Sequence, residues 1–131
     1  LLRRIAGPRV RLELALAPDA GVVVADPAQA EQVLLNLVTN ARDAMPDGGA
    51  VRVETARENG DLRLTVRDTG PGIPPEVRPH LFEPFFTTKA EGHGLGLSTV
   101  YGVVTGAGGR VEVESEPGRG AAFHLWLPRA G

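Results

Sequence analysis

The stretch Asp68-Thr69-Gly70-Pro71-Gly72-Ile73-Pro74 constrains the fold more than any other part of the chain. Alternating apolar and polar residues, Leu62 to Arg67, lead into it and read as a strand. Two glycines and two prolines then stop regular structure, so an acid stands where an ordered strand ends and irregular backbone begins. Glycine lets that backbone come close to something flat or bulky. Taken alone, the stretch reads equally well as a tight turn capped by its aspartate.

With 131 residues, 42% of them apolar, the chain suffices for one domain with a core of its own. Aromatics are 5%, so that core must be built from Leu, Val, Ile and Ala. A net charge of −2 gives no footprint for nucleic acid. No apolar run reaches the roughly 18 residues a membrane span needs, and the start does not read as a signal peptide. The absence of cysteine excludes disulfides and thiolate metal sites, and fits a reducing compartment. Leu1 to Ile5 reads as the end of something longer.

Val10 to Leu16 alternates as a half-buried strand, and Val22 to Ala25 reads as a second, short one. Asp26-Pro27 is a helix start, with the acid as N-cap and proline at the first helical position. Over Ala28 to Met45, Ala30, Val33, Leu34, Leu37, Val38, Ala41 and Met45 recur at helical spacing. A polar row, Gln29, Gln32, Asn36, Asn40 and Asp43, runs along the same helix, which Pro46-Asp47-Gly48-Gly49 ends. Val51 to Thr55 and Leu62 to Arg67 flank Glu58-Asn59-Gly60-Asp61 and should pair as a hairpin. A helical turn is expected over Pro75 to Phe82, a helix over Leu95 to Thr105, and strands over Arg110 to Ser115 and Ala121 to Leu127. The sum is an α+β fold: a two-layer sandwich with a mixed, mostly antiparallel sheet and helices on one face. Trp126 is expected to pack under a helix.

Asn36 and Asn40 lie one turn apart on one helix face, between apolar or small neighbours. An amide carbonyl suits Mg²⁺ that already carries phosphate oxygens, although a solvated face accounts for the spacing as well. Gly92-His93-Gly94-Leu95-Gly96-Leu97-Ser98 is a glycine-rich run into a helix, whose N–H groups suit phosphate oxygens. It is neither a P-loop nor a dinucleotide fingerprint. Lys89, just before it, could meet a phosphate as a point charge or stay solvated. His80, His93 and His124 are scattered without metal-ligand spacing; His124 alternates outward on the last strand.

The order of these elements carries more than any one of them. Asn36 and Asn40 on a helix, Asp68-x-Gly-x-Gly, a phenylalanine-rich 82–89, Gly94-Leu95-Gly96-Leu97 and Gly118-Arg119-Gly120 resemble the catalytic ATP-binding domain of sensor histidine kinases. That domain has the Bergerat-type fold of an ATPase superfamily including gyrase, the heat-shock chaperone and the mismatch-repair protein. Phe85-Phe86-Thr87-Thr88-Lys89 and Leu97-Ser98-Thr99-Val100-Tyr101-Gly102 look most like hybrid and nitrogen-regulator kinases.

The resemblance implies roles. Asp68 would accept a hydrogen bond from the adenine amino group, and Gly70 and Gly72 would let backbone close on the base. Asn40 would coordinate Mg²⁺, with Asn36 beside it near the phosphates and Asp43 along the sugar-phosphate region. Asn36, Asn40 and Lys89 would carry the catalytic work. Ile73, Phe86, Thr88, Gly92, His93, Leu95 and Leu97 would surround the ATP, with Gly94 and Gly96 admitting the phosphates to the helix start. Phe86 to Gly94 would form a lid, short between Lys89 and Gly94. His93 stands where many relatives have Thr or Met. Gln32 stands where water-activating members carry Glu, which favours transfer to a protein side chain over hydrolysis.

The resemblance also implies partners. The phosphorylated histidine would lie in a separate helical dimerisation domain of the same parent, to which residues 1–8 would be the linker. A response-regulator receiver would act downstream, in the cytoplasm. Two other readings keep the fold: a non-catalytic nucleotide-sensing module, and a serine kinase of the anti-sigma type.

Overall fold

The computed structural model describes residues 10–15, 27–80, 82, 96–116 and 118–128. Five strands and two α-helices are present among them: β1 (Val10–Ala15), α1 (Pro27–Ala44), β2 (Gly49–Glu58), β3 (Asp61–Asp68), α2 (Gly96–Gly106), β4 (Arg110–Ser115) and β5 (Ala121–Leu127). A 3-10 turn covers Arg78–His80. The sheet order is β1-β2-β3-β5-β4. β1 pairs parallel with β2, and the three other pairings are antiparallel. The fold is the expected α+β sandwich with a mixed, mostly antiparallel sheet. The expected strand over Val22 to Ala25, the Asp26 cap and residues 1–8 lie outside the described residues.

Local chemistry explains the elements that place the site. α1 forms where Val33, Leu37, Val38 and Ala41 make one buried stripe, and ends where Gly48, at φ 102°, donates to the Met45 carbonyl at 2.9 Å. Asn59 and Gly60, at φ 53° and 86°, supply the left-handed pair that a two-residue hairpin turn requires. β2 and β3 therefore run in strict register from Glu58↔Asp61 to Val51↔Asp68, longer than the alternation of 51–55 alone suggests.

Alternation sends Val51, Val53, Val66, Phe123 and Leu125 to one face of the sheet. There they join Val33, Leu37 and Val38 of α1 and Val100 and Val104 of α2 in a single core. Each such side chain contributes about 1.5–3 kcal/mol on burial. Phe82 stacks on Tyr101 of α2 and meets Phe123 edge-on, tying the segment before α2 to the sheet.

Trp126 corrects the sequence reading. It is only 8% exposed, yet it lies on the face away from the core, between its cross-strand neighbours Arg63 and Arg110. The Arg110 guanidinium sits 4.1 Å above the ring centroid, and the indole N–H donates to Glu58 at 3.2 Å. His124 does point outward, but its Nδ1 shares a 2.9 Å hydrogen bond with the buried Thr65 hydroxyl. Ion pairs Arg52–Glu54, Arg63–Glu58, Arg67–Glu114 and Arg110–Glu112 run across this face. Among the described residues, the stems of long charged side chains thus cover it in place of a second helical layer.

Candidate functional site

β3 ends at Asp68, which is 7% exposed. One carboxylate oxygen, Oδ1, accepts from the backbone N–H of Gly70 at 2.9 Å and of Ala121 at 3.3 Å. Among the described residues the other oxygen has no partner. Burial pushes the Asp68 carboxyl above its ordinary value, and the two backbone bonds pull it back in part. A buried carboxylate with one oxygen fixed and one open is a directional acceptor: its orientation is set before any ligand arrives.

The loop after Asp68 is tight at its two glycines. A Cβ at Gly70 would meet Met45 Cγ at 3.0 Å and Asp68 Oδ1 at 3.1 Å. Gly72 has φ 83°, and a Cβ there would meet the Glu116 carbonyl oxygen at 2.6 Å. The partner wall is the β4–β5 turn. Gly118 N–H donates to the Pro71 carbonyl at 2.7 Å, and Ile73 N–H donates to Ser115 Oγ at 2.7 Å. Ser115 Oγ–H in turn donates to the Gly120 carbonyl at 3.3 Å. Gly120, at φ 87°, lies so close to the Asp68 carbonyl that no Cβ could be accommodated. The glycines therefore serve close backbone approach, as the sequence suggests, but between two loops of the protein itself.

α1 reaches the same loop from the other side. Thr69 Oγ1 accepts from Ala50 N–H at 3.0 Å and faces Met45 Sδ at 3.6 Å, while Thr69 N–H donates to the Ala50 carbonyl at 3.2 Å. The Ala44 carbonyl lies 3.5 Å from where a Gly70 Cβ would be. Asn36, Asn40 and Ala44 stand four residues apart, in one row of the helix surface. The asparagine row thus runs toward Gly70, with Asn40 one turn and Asn36 two turns away. Both amides are half-buried. Gln32 Nε2 donates to Asn36 Oδ1 at 2.7 Å, and among the described residues the Asn40 amide has no hydrogen-bond partner. The exposed Asp43 carboxylate pairs with Arg42 at 3.2 Å.

The structure therefore brings Asp68, Gly70 and Gly72 together where β3 ends, and sets the C-terminal end of α1, the helix that carries Asn36 and Asn40, against the same loop. Ile73 and Leu97 are half-buried and pack against the core, and Gly96 opens α2. Phe86, Thr88, Lys89, Gly92, His93, Gly94 and Leu95 lie outside the described residues. Thr69, Met45, Ser115 and the Ala121 N–H also shape the site and were not singled out by sequence. Gly118-Arg119-Gly120 was the one signal pointing at the β4–β5 turn. Among the described residues no three His, Cys, Asp or Glu side chains converge on a metal position.

Residues 25–131 match the family described as histidine kinase-, DNA gyrase B-, and HSP90-like ATPase. The sensor kinase CckA of Brucella abortus is 42% identical over 146 residues, which take in 98% of this chain and 15% of that protein. The sensor histidine kinase ZraS of Escherichia coli K12 is 42% identical, over 81% of this chain and 23% of its own length. The chain thus spans less than a quarter of these curated relatives. Among solved structures, the catalytic domain of histidine kinase ThkA superposes with a TM-score of 0.82 at 31% identity, covering 98% of this chain and 82% of that one. Full-length ShkA in complex with AMPPNP gives 0.77 at 31% identity, over 99% of this chain and 30% of that one. The chain belongs to the histidine kinase-, DNA gyrase B- and HSP90-like ATPase family, and its homologues are two-component sensor histidine kinases.

Proposed function

We propose that this domain binds ATP with Mg²⁺ and donates the γ-phosphate to a histidine on a separate helical domain. The observation that carries the reading is Asp68: buried, fixed through Oδ1 by two backbone N–H groups, and open at Oδ2. An acceptor so held suits the exocyclic amino group of adenine and disfavours the carbonyl that guanine carries there. Full-length ShkA was solved with an ATP analogue, which supports the same reading here.

Asn40 fits a role as Mg²⁺ ligand. Its amide oxygen is a hard donor, half-buried and without a partner among the described residues. With no cluster of His, Cys, Asp or Glu side chains among the described residues, the remaining ligands would be phosphate oxygens and water, the usual arrangement for Mg²⁺. The ion would neutralise the phosphate charge. The chain's own residues would do the positioning on which phosphoryl transfer mainly depends. Asn36 would stand beside the phosphates, its oxygen drawn toward Gln32. Asp43 would border the sugar-phosphate region. Lys89 and the segment from Phe86 to Gly94 would close over the nucleotide from the phosphate side, and Gly94 and Gly96 would admit the phosphates at the start of α2. An acceptor imidazole from the helical domain would attack in line, in the cytoplasm, and a response regulator would receive the group afterwards.

The test is transfer in trans. The chain is incubated with γ-labelled ATP, Mg²⁺ and the helical domain of a two-component kinase. Acid-labile label on a histidine of that domain is the expected result. Retained ATP binding with no transfer would point to a sensing module. Acid-stable label on a partner protein would point to a serine kinase.

A further inference from the structure

We infer that Ser115 is a positioning residue for base recognition, acting on Asp68 through a single peptide group. The inference rests on the reading of Asp68 as the base anchor. Ser115 Oγ accepts from Ile73 N–H at 2.7 Å and donates to the Gly120 carbonyl at 3.3 Å. That carbonyl and the Ala121 N–H belong to one peptide unit, and the Ala121 N–H donates to Asp68 Oδ1 at 3.3 Å. The connection is therefore continuous: Ile73 N–H to Ser115 hydroxyl, hydroxyl to the 120–121 peptide, peptide to carboxylate. Hydrogen bonds in such a chain polarise one another, so a bond at the carbonyl end strengthens donation from the N–H end.

Two features make Ser115 the adjustable part of this lock. The other links between the β4–β5 turn and the Asp68 loop, Gly118 N–H to Pro71 and Ala121 N–H to Asp68, use backbone donors that no side-chain change removes. The surrounding positions are sterically closed: a Cβ at Gly72 would lie 3.1 Å from Ser115 Oγ and 2.6 Å from the Glu116 carbonyl. With the hydroxyl deleted, Ile73 N–H loses its partner and the 120–121 peptide loses the bond at its carbonyl end. The Gly72–Ile73 backbone, against which a flat base would close, is then tied to the wall that holds Asp68 by one connection fewer.

The experiment is calorimetry on the 131-residue chain with Mg·ATP, Mg·GTP and, as a base-free probe, Mg·tripolyphosphate. Ser115→Ala should weaken Mg·ATP about 2- to 12-fold, the loss expected from one neutral hydrogen bond. Discrimination against Mg·GTP should fall by the same factor, tripolyphosphate binding should not change, and Ser115→Thr should restore ATP binding. Unchanged ATP affinity in Ser115→Ala would overturn the inference. So would a parallel loss of ATP, tripolyphosphate and melting temperature, which is what a merely structural serine would give. If Ser115→Ala does not fold, amide spectra of the unsubstituted chain decide: Mg·ADP should shift the Ile73 and Ala121 resonances and tripolyphosphate should not, and resonances unmoved by Mg·ADP overturn it. An unsubstituted chain that binds no Mg·ATP sinks the nucleotide reading itself, whereas tight binding insensitive to Ser115 sinks only this step.

Discussion

Replacing Asp68 with asparagine separates what the carboxylate does for a ligand from what it does for the fold. Asparagine is nearly isosteric, and its carbonyl oxygen can keep both backbone donors, Gly70 N–H and Ala121 N–H. That pairing turns the amide NH₂ toward the position now held by Oδ2. A donor then faces the adenine amino group, itself a donor. The charge-assisted bond lost is worth about 1.5–3 kcal/mol, or roughly 10- to 150-fold in affinity, and the opposed donors add to it. Stability should move the other way. The folded carboxyl titrates above its ordinary value of 3.8, chiefly through burial. Its favourable contribution to folding is therefore complete only below that ordinary value and is lost as pH rises through the folded value. Asp68→Asn removes the cost of the buried charge. The variant should melt at or above the unsubstituted chain at neutral pH, with the difference shrinking as pH falls toward 3.8. Calorimetry with Mg·ATP and thermal melts at several pH values read both. Mg·ITP, which carries an oxygen in place of the amino group, should lose less affinity than Mg·ATP. Unchanged ATP affinity in a folded Asp68→Asn chain would refute the assignment. A lower melting point at neutral pH would refute the account of its burial.

Asn40→Ala should reduce Mg²⁺-dependent ATP affinity while leaving binding measured in chelator unchanged; equal loss in both would argue against a metal ligand there. Gly72→Ala should destabilise the fold by about 1–3 kcal/mol, because the residue sits at φ 83° with a carbonyl oxygen in the way, and denaturant melts read it. Arg110→Ala should cost only about 0.5–1 kcal/mol from the exposed cation–π contact with Trp126, with ATP affinity untouched, since both residues lie on the outer face.

The sequence made local order legible and long-range order much less so. α1 and the β2–β3 hairpin follow from patterns within about 20 residues: the Val33–Leu37–Ala41 stripe and the Asn59-Gly60 turn. The insertion of β5 between β3 and β4 has no such local signature. Trp126 shows the limit well. Period-two alternation groups Ala122, His124 and Trp126 on one side of β5 and Phe123, Leu125 and Leu127 on the other. Both groups contain large apolar residues, so alternation cannot say which side the helices cover. Asp68 could be recognised as a strand end followed by irregular backbone. That Ala121 holds it could not, because the two are joined only by the closing of the sheet. Close approach is legible in the glycines themselves; that the backbone meeting Gly72 and Gly120 comes from the facing segment of the protein is not.

The link from Asp68 to Ala121 spans 53 residues, and it sets an order of events during synthesis. A nascent chain that has emerged through β3 already contains the acid, both asparagines and the first glycines. It cannot yet aim the carboxylate, because one of the two donors belongs to β5, the last of the five described strands to be made. Long-range pairings of this kind form late, after their loop entropy has been met. Ligand competence and completion of the sheet should therefore arrive together, and a partly made chain would carry the residues of the pocket without the pocket.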